Sequence, residues 1–227
     1  LKVGIYIFGI EFLAESGAST WLMWLAAFSI LAASVIAMTK DNLKARLAYS
    51  TISQLSYITL GVALASSMGI LGGGLHVVMH AMGKITLFMC AGSIYVATHR
   101  TEISQMTGLG RRMPITFIAF LIGALSIIGL PPLGGSWSKW LLMVGAVDAE
   151  HLFILGVLLV SSLLNVAYLL PLVAKGFFLS NDTDAELAQS AEASPLVWGP
   201  PAATAFGCVV LFFYAGHIQD FLMPIVA

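Results

Sequence analysis

Charge is what this sequence has least of. Only 9% of its 227 residues are Asp, Glu, Lys or Arg, and 59% are hydrophobic. Soluble domains carry about 25% charged residues, so a water-soluble globular fold is excluded by composition. The formal net charge is −1, which leaves no positive excess to hold a phosphate backbone and argues against nucleic acid as a partner. Cysteine is equally scarce. Cys90 and Cys208 lie far apart in apolar runs, with no Cys-x-x-Cys pair or His/Cys cluster around them. They read as two buried thiols, with neither a disulfide framework nor a metal site. Period-2 alternation is missing, as is any segment with soluble-domain composition. The apolar start lacks a positive n-region and a small-residue cleavage site, so it does not read as a signal peptide. It reads as a piece that begins within a helix.

What is present is a series of long apolar runs, with a mean hydropathy of +0.96. A spanning helix needs about 20 such residues. Lys2 to Leu13 is too short to cross alone and reads as the second half of an interrupted helix. Spans are predicted at Trp21–Met38, Leu47–Ala65, about Ile70–Ala97, Pro114–Leu130, Leu152–Phe178 and Leu196–Tyr214. A turn is expected around Ser66–Gly69, and polar loops at His99–Met113 and Asn181–Ser194. Between Leu130 and Gly135 the sequence LPPLGG breaks the helical pattern at Pro131, Pro132, Gly134 and Gly135, before a short run from Ser136 to Val147. The fold class is therefore an all-α, polytopic membrane bundle of seven or eight segments, one truncated and one broken. Basic loops at Lys40–Arg46 and Arg100–Arg112 are two spans apart and so share a side, which the positive-inside rule places in the cytoplasm.

Within that apolar background, His76, His80 and Lys84 recur every four residues. On a helix they form one stripe about 80° wide that climbs about 12 Å. A charged Lys at the middle of a lipid-facing helix costs about 3 kcal/mol on insertion scales. Three titratable groups on one stripe therefore point to an interior, hydrated face and a proton or cation path. Imidazole titrates near neutrality in water, which suits the two histidines as relay partners for Lys84. The bland alternative has the histidines as packing residues and Lys84 reaching for an interface. A His-x3-His zinc site is a further alternative, but no carboxylate or third ligand stands beside it, and no metal or cofactor is expected.

Lys139 lies just beyond the break, in SWSKW. Interrupted helices in transporters leave unpaired backbone groups beside a polar cavity, near the ion site. Lys139 is thus either the far terminus of the path or a helix-end Lys between the interfacial Trp137 and Trp140. Ser50, Ser53, Gln54, Ser56 and Tyr57 make one side of their span semi-polar. They either line water, with Ser53, Tyr57 and, near Lys139, Ser138 as candidates, or tie helices together. Lys2 by itself reads as an edge charge, and Glu11 as a helix-end residue or a partner for a Lys.

DNLKARLAYSTISQLSYI, GGGLHVVMHAMGKITLFMCAGS, GLGRRMP and LSIIGLPPLGGSWSKW together resemble the antiporter-like membrane subunits. Mrp-type Na⁺/H⁺ antiporters and the proton-pumping arm of respiratory complex I share that family. SSLLNVAYLLPLV is most similar to the D subunit of Mrp antiporters. The resemblance implies a fold of about fourteen helices with two inverted five-helix repeats, of which this chain supplies the back half. Residues 1–227 then form a single transmembrane fragment. Residues 1–46 hold the end of the first broken helix and the next span, 47–178 the second repeat, and 179–227 a polar loop and the final helix. The resemblance also assigns Lys2 to the first broken helix, Lys84 to the central connecting helix and Lys139 to the second broken helix.

Two features depart from the family pattern. Its essential Glu, in a helix ahead of Lys2, is not in this sequence. Trp21–Met38 has no ionisable residue where relatives often carry one, leaving Ser29, Ser34, Ser53 or Tyr57 to bridge the gap with water.

The implied function is that of a proton-conducting subunit in a multisubunit Na⁺/H⁺ antiporter of a bacterial or archaeal cell membrane. Protons would pass from Lys2 through His76, His80 and Lys84 to Lys139. The implied partners are other membrane subunits, H⁺, with Na⁺ as a further candidate, and the bilayer. Two like charges about 10 Å apart repel by about 1.7 kcal/mol at an effective dielectric of 20, roughly a tenfold bias per neighbour. One alternative is a subunit of a complex I-like or hydrogenase-type redox pump, and another is a scaffold that transports nothing. The chain itself is expected to be a transporter subunit, not an enzyme, unless it belongs to a redox translocase.

Overall fold

Two of the long helices start on a short polar side chain. In the computed structural model, which describes Gly9, Phe12, residues 17–179 and residues 191–225, the long helices are α1 (Ala18–Thr39), α2 (Leu43–Ala63) and α3 (Ser67–Thr98). After a 3₁₀ turn (Ile103–Met106) come α4 (Leu109–Arg112), α5 (Pro114–Ile128), α6 (Gly135–Asp148), α7 (Leu152–Phe178) and α8 (Pro195–Leu222). Asn42 caps α2 by accepting from the Ala45 N–H at 3.0 Å. Ser66 caps α3 by accepting from the Gly69 N–H at 3.1 Å and donates to the Gly145 carbonyl on α6. Such caps satisfy backbone donors left open at a helix start. The cap explains why α3 begins at Ser67, inside the turn expected at Ser66–Gly69.

Other elements also differ in extent from the sequence reading. Among the described residues four helices are long and apolar enough to cross a membrane: α1, α3, α7 and the stretch Pro195–Ile225. The seven or eight segments predicted are fewer by that measure for physical reasons. α2 dilutes its apolar residues with Lys44, Arg46, Ser50, Ser53 and Gln54, while α5 and α6 are short because the LPPLGG break separates them. The expected loop at His99–Met113 buries Ile103, Met106 and Leu109 and winds two short helical turns. α8 continues eight residues past Tyr214, to Leu222.

α3 sits at the centre and touches α2, α5, α6 and α8. Its inward face buries His76, His80 and Lys84, while Val77, Ile85, Phe88 and Met89 point out of the bundle. The two basic loops are locked to each other on one side. Leu43 N–H donates to the Thr101 carbonyl, Ile103 N–H to the Asp41 carbonyl, and Asn42 Nδ2 to Glu102 at 3.0 Å.

Two apolar clusters lie at opposite ends of the helices. One gathers Leu43 and Leu47 of α2, Leu87–Ile94 of α3 and Tyr168–Val173 of α7 near the basic loops. The other gathers Tyr57–Leu64 of α2, Leu142 and Ala146 of α6 and Ile154–Leu158 of α7 at the far end. Along each of α2 and α7 the polar positions fall between them: Ser50 to Gln54, and Ser161 to Asn165.

Candidate functional site: a buried polar seam

The seam begins where α5 stops. Gly129 ends α5 with φ of 91°, a left-handed conformation open to glycine at no steric cost. The chain passes Pro131 and Pro132 at the surface and turns back into α6 at Gly134, whose N–H donates to the Cys208 carbonyl of α8. At Gly135 an added Cβ would lie 1.8 Å from the Ser126 carbonyl oxygen, so only glycine fits that approach. The return brings Lys139 under the end of α5. Its ammonium donates to the Ile128 carbonyl at 3.0 Å and to Ser162 Oγ of α7 at 3.2 Å, and it lies 5.0 Å from the centre of the Tyr57 ring. The negative end of α5 and the ring face both favour a cation there. Lys139 is therefore buried, at 5% exposure, while Trp137 and Trp140 on the same helix face outward.

From Tyr57 the groups continue along α3. Tyr57 stacks on His76 with ring centres 5.3 Å apart, and His76 stacks on His80 at 5.7 Å. His76 Nδ1 shares a 3.0 Å hydrogen bond with Ser138 Oγ, one residue before Lys139. Lys84 follows one turn beyond His80. It donates to Ser50 Oγ at 2.6 Å and to the Leu47 carbonyl at 3.2 Å. The structure thus brings Lys84, His80, His76, Tyr57, Ser138 and Lys139 into one buried array. Lys2 lies outside the described residues. Ser53 turns its hydroxyl to the Ile30 carbonyl and to Ser34, tying α1 to α2.

Three features give the seam its chemistry. First, among the described residues neither buried lysine meets a carboxylate, so no fixed charge of opposite sign locks either as an ammonium. Second, polar atoms along the seam are buried without a well-formed hydrogen bond: both ends of the Gln54 amide, His76 Nε2, His80 Nδ1 and Asn165 Nδ2. Burying such atoms unpaired costs about 1–3 kcal/mol each, so they mark places where a mobile hydrogen-bonding partner is favoured. Third, a cavity of about 890 Å³ opens beside Lys139, lined by Gly129, Pro131, Trp137, Trp140 and Ser162 among others. No three His, Cys, Asp or Glu side chains gather as a metal site among the described residues.

Sequence reasoning left three partners in this array without a role in it. Ser50 is the nearest contact of Lys84, and the Tyr168 hydroxyl reaches Ser50 at 2.9 Å while bonding to Asn165 Oδ1. Their signal was faint. An Asn and a Tyr three residues apart on an apolar helix share a face, but nothing in the sequence says which helix that face meets.

This layout can be set beside known proteins. The model of the family described as "NADH:quinone oxidoreductase/Mrp antiporter, TM" matches residues 1–165. The chain belongs to that family. NADH-quinone oxidoreductase subunit N of Desulforudis audaxviator (strain MP104C) is 39% identical over 156 residues, which are 69% of this chain and 31% of that protein. A chain of respiratory complex I from Thermus thermophilus with bound NADH superposes with a TM-score of 0.83 at 26% identity, over 99% of this chain and 48% of that one. A chain of the Mrp complex from Dietzia sp. DQ12-45-1b gives a TM-score of 0.81 at 23% identity, over 92% and 47%, a likeness of fold. The chain spans about a third of the length of the curated relative and about half of each solved chain. Its fold is that of the antiporter-like membrane subunits, a family embedded in the membrane by many helices.

Proposed function

We propose that this chain carries protons between Lys84 and Lys139 as part of a membrane subunit in a multisubunit Na⁺/H⁺ antiporter. The observation that carries the reading is the pair of buried amines held only by neutral acceptors and joined by stacked imidazoles. An amine with no counter-ion can give up its proton without stranding an opposite charge, and each imidazole can take one up and pass it on. A proton on one lysine disfavours a proton on the next, which moves charge stepwise along the array. Lys2 extends the path at one end, and the cavity beside Lys139 forms its exit at the other. Ser138 and Tyr57 line the route; Pro131, Pro132, Gly134 and Gly135 hold the break that brings Lys139 in. Residues 1–46, 47–178 and 179–227 correspond to the end of one broken helix with its next span, the second repeat, and the closing loop and helix. Partner subunits in a bacterial or archaeal cell membrane supply the rest of the machine.

A second reading is favoured by one specific observation: curated relatives of this chain are quinone oxidoreductase subunits, of types N, L and 4. In it the same path is driven by electron transfer in partner subunits.

One experiment tests the path and separates the two drivers. The full-length protein is assembled with its partners in liposomes, and dissipation of a pH gradient is followed on adding Na⁺ or, separately, a quinone with its reductant. Flux abolished by Lys84→Ala and by Lys139→Ala supports the path, and the trigger names the driver. Flux unchanged in both variants overturns it.

A further inference from the structure

Tyr168 and Asn165 lie off the α3 stripe, yet they are buried to 1% and 0% exposure and reach Lys84 through a single atom, Ser50 Oγ. The phenol has one proton and two acceptors within reach, Ser50 Oγ and Asn165 Oδ1. The amide oxygen is the stronger acceptor of the two, and Ser50 Oγ already accepts from an amine. With its proton on Asn165, the phenol does not donate to Ser50. Both lone pairs of Ser50 Oγ are then free for Lys84. Without Asn165, the phenol would give its proton to Ser50 and compete with Lys84 for the same oxygen.

We infer that Asn165 and Tyr168 are positioning residues that fix the Ser50 hydroxyl as an acceptor for Lys84 and so set the pH at which Lys84 exchanges its proton. This rests on the reading of Lys84 as a proton carrier. Other titratable groups around Lys84 are few. His80 precedes it on α3, Arg46 and Tyr57 lie on α2, and Lys139 on α6 acts on the same array. Arg46 donates to the Tyr168 carbonyl at 3.0 Å. α5 has no titratable side chain, and the nearest one on α8 is Cys208, against Thr86.

The test is the pH profile of gradient dissipation by the full-length protein assembled with its partners in liposomes. Asn165→Leu frees the phenol's proton for Ser50 and moves the Lys84-dependent limb to lower pH by about one unit or less, and adding Tyr168→Phe removes that proton and reverses the shift. Asn165→Asp places a carboxylate at the end of the relay and moves that limb to higher pH. Adding Asn165→Leu to Ser50→Ala produces no further shift, because the relay acts only through Ser50. A purely structural role would lower flux in every variant without moving the limb in opposite directions. The inference is overturned if the Leu and Asp variants shift the same way, or not at all, while Lys84→Ala still abolishes flux. Flux that survives Lys84→Ala overturns the carrier reading itself.

Discussion

Lys139 places its ammonium 3.0 Å from the carbonyl oxygen of Ile128, the last residue of α5. A helix that stops in the bilayer leaves its final carbonyls without partners, and in hydrocarbon water cannot supply them. The break at LPPLGG therefore creates an acceptor, and Lys139 fills it. The amine is held by a neutral dipole, which fixes its position and leaves its charge free to change.

Gly135→Ala adds a Cβ that would sit 1.8 Å from the Ser126 carbonyl, so α5 and α6 must separate. The cost is about 1–3 kcal/mol, as for other overpacked sites. Thermal unfolding in detergent shows a midpoint several degrees lower, and Lys139-dependent flux falls with it. An unchanged midpoint would mean the two helices are not held this closely.

His76→Phe tests whether the imidazole does more than pack. Phenylalanine keeps an aromatic ring against Tyr57 and His80 but has no nitrogen to share with Ser138. Proton flux in liposomes falls by about a hundredfold or more, the low end of what a removed acid–base group costs. The protein assembles as before. Full flux in this variant would leave the histidine as a packing residue.

Ser50 and Ser53 stand one turn apart on α2 and make opposite predictions. Ser53→Ala breaks a tie to α1 worth about 1 kcal/mol and lowers the unfolding midpoint slightly, with flux unchanged. Ser50→Ala removes the acceptor nearest Lys84 and changes the pH profile of flux. Equal effects on flux would show that the hydroxyls are interchangeable and that the seam does not end at Ser50.

Asn42→Ala removes both a helix cap and the contact from the α2 loop to Glu102. The expected loss of stability is about 1–2 kcal/mol. Hydrogen exchange over residues 40–46 and 100–105 rises together, since the two loops are tied to each other. A rise in only one of them would show that they move independently.

How much of this was legible in the sequence depended on the residue type. His76, His80 and Lys84 stood out because titratable groups are expensive in an apolar run and their spacing matches the helix period, and the structure does turn them inward. The break beside Lys139 was legible through Pro131, Pro132, Gly134 and Gly135. The partners across helices were not. Serines are common in apolar helices, so Ser53 looked as good as Ser50. Which one meets Lys84 depends on a register between α2 and α3 that no local pattern encodes. Tyr168 lies 118 residues from Ser50, and their contact exists only because α7 packs against the same seam. The extra length of α8 and the buried turns in the His99–Met113 loop were likewise decided by tertiary contacts, against a local reading of their polar residues.

The oily clusters at the two ends of α2 and α7 act as stoppers above and below the seam. On the proposed path, an ion inside it would meet hydrocarbon along the helix axes, whichever face of the bilayer it headed for. Its cheap direction is sideways, from one helix to the next. Such a layout resists short circuits: a flaw in one stopper opens a dead end, and only losing both would let the membrane voltage drain through the bundle.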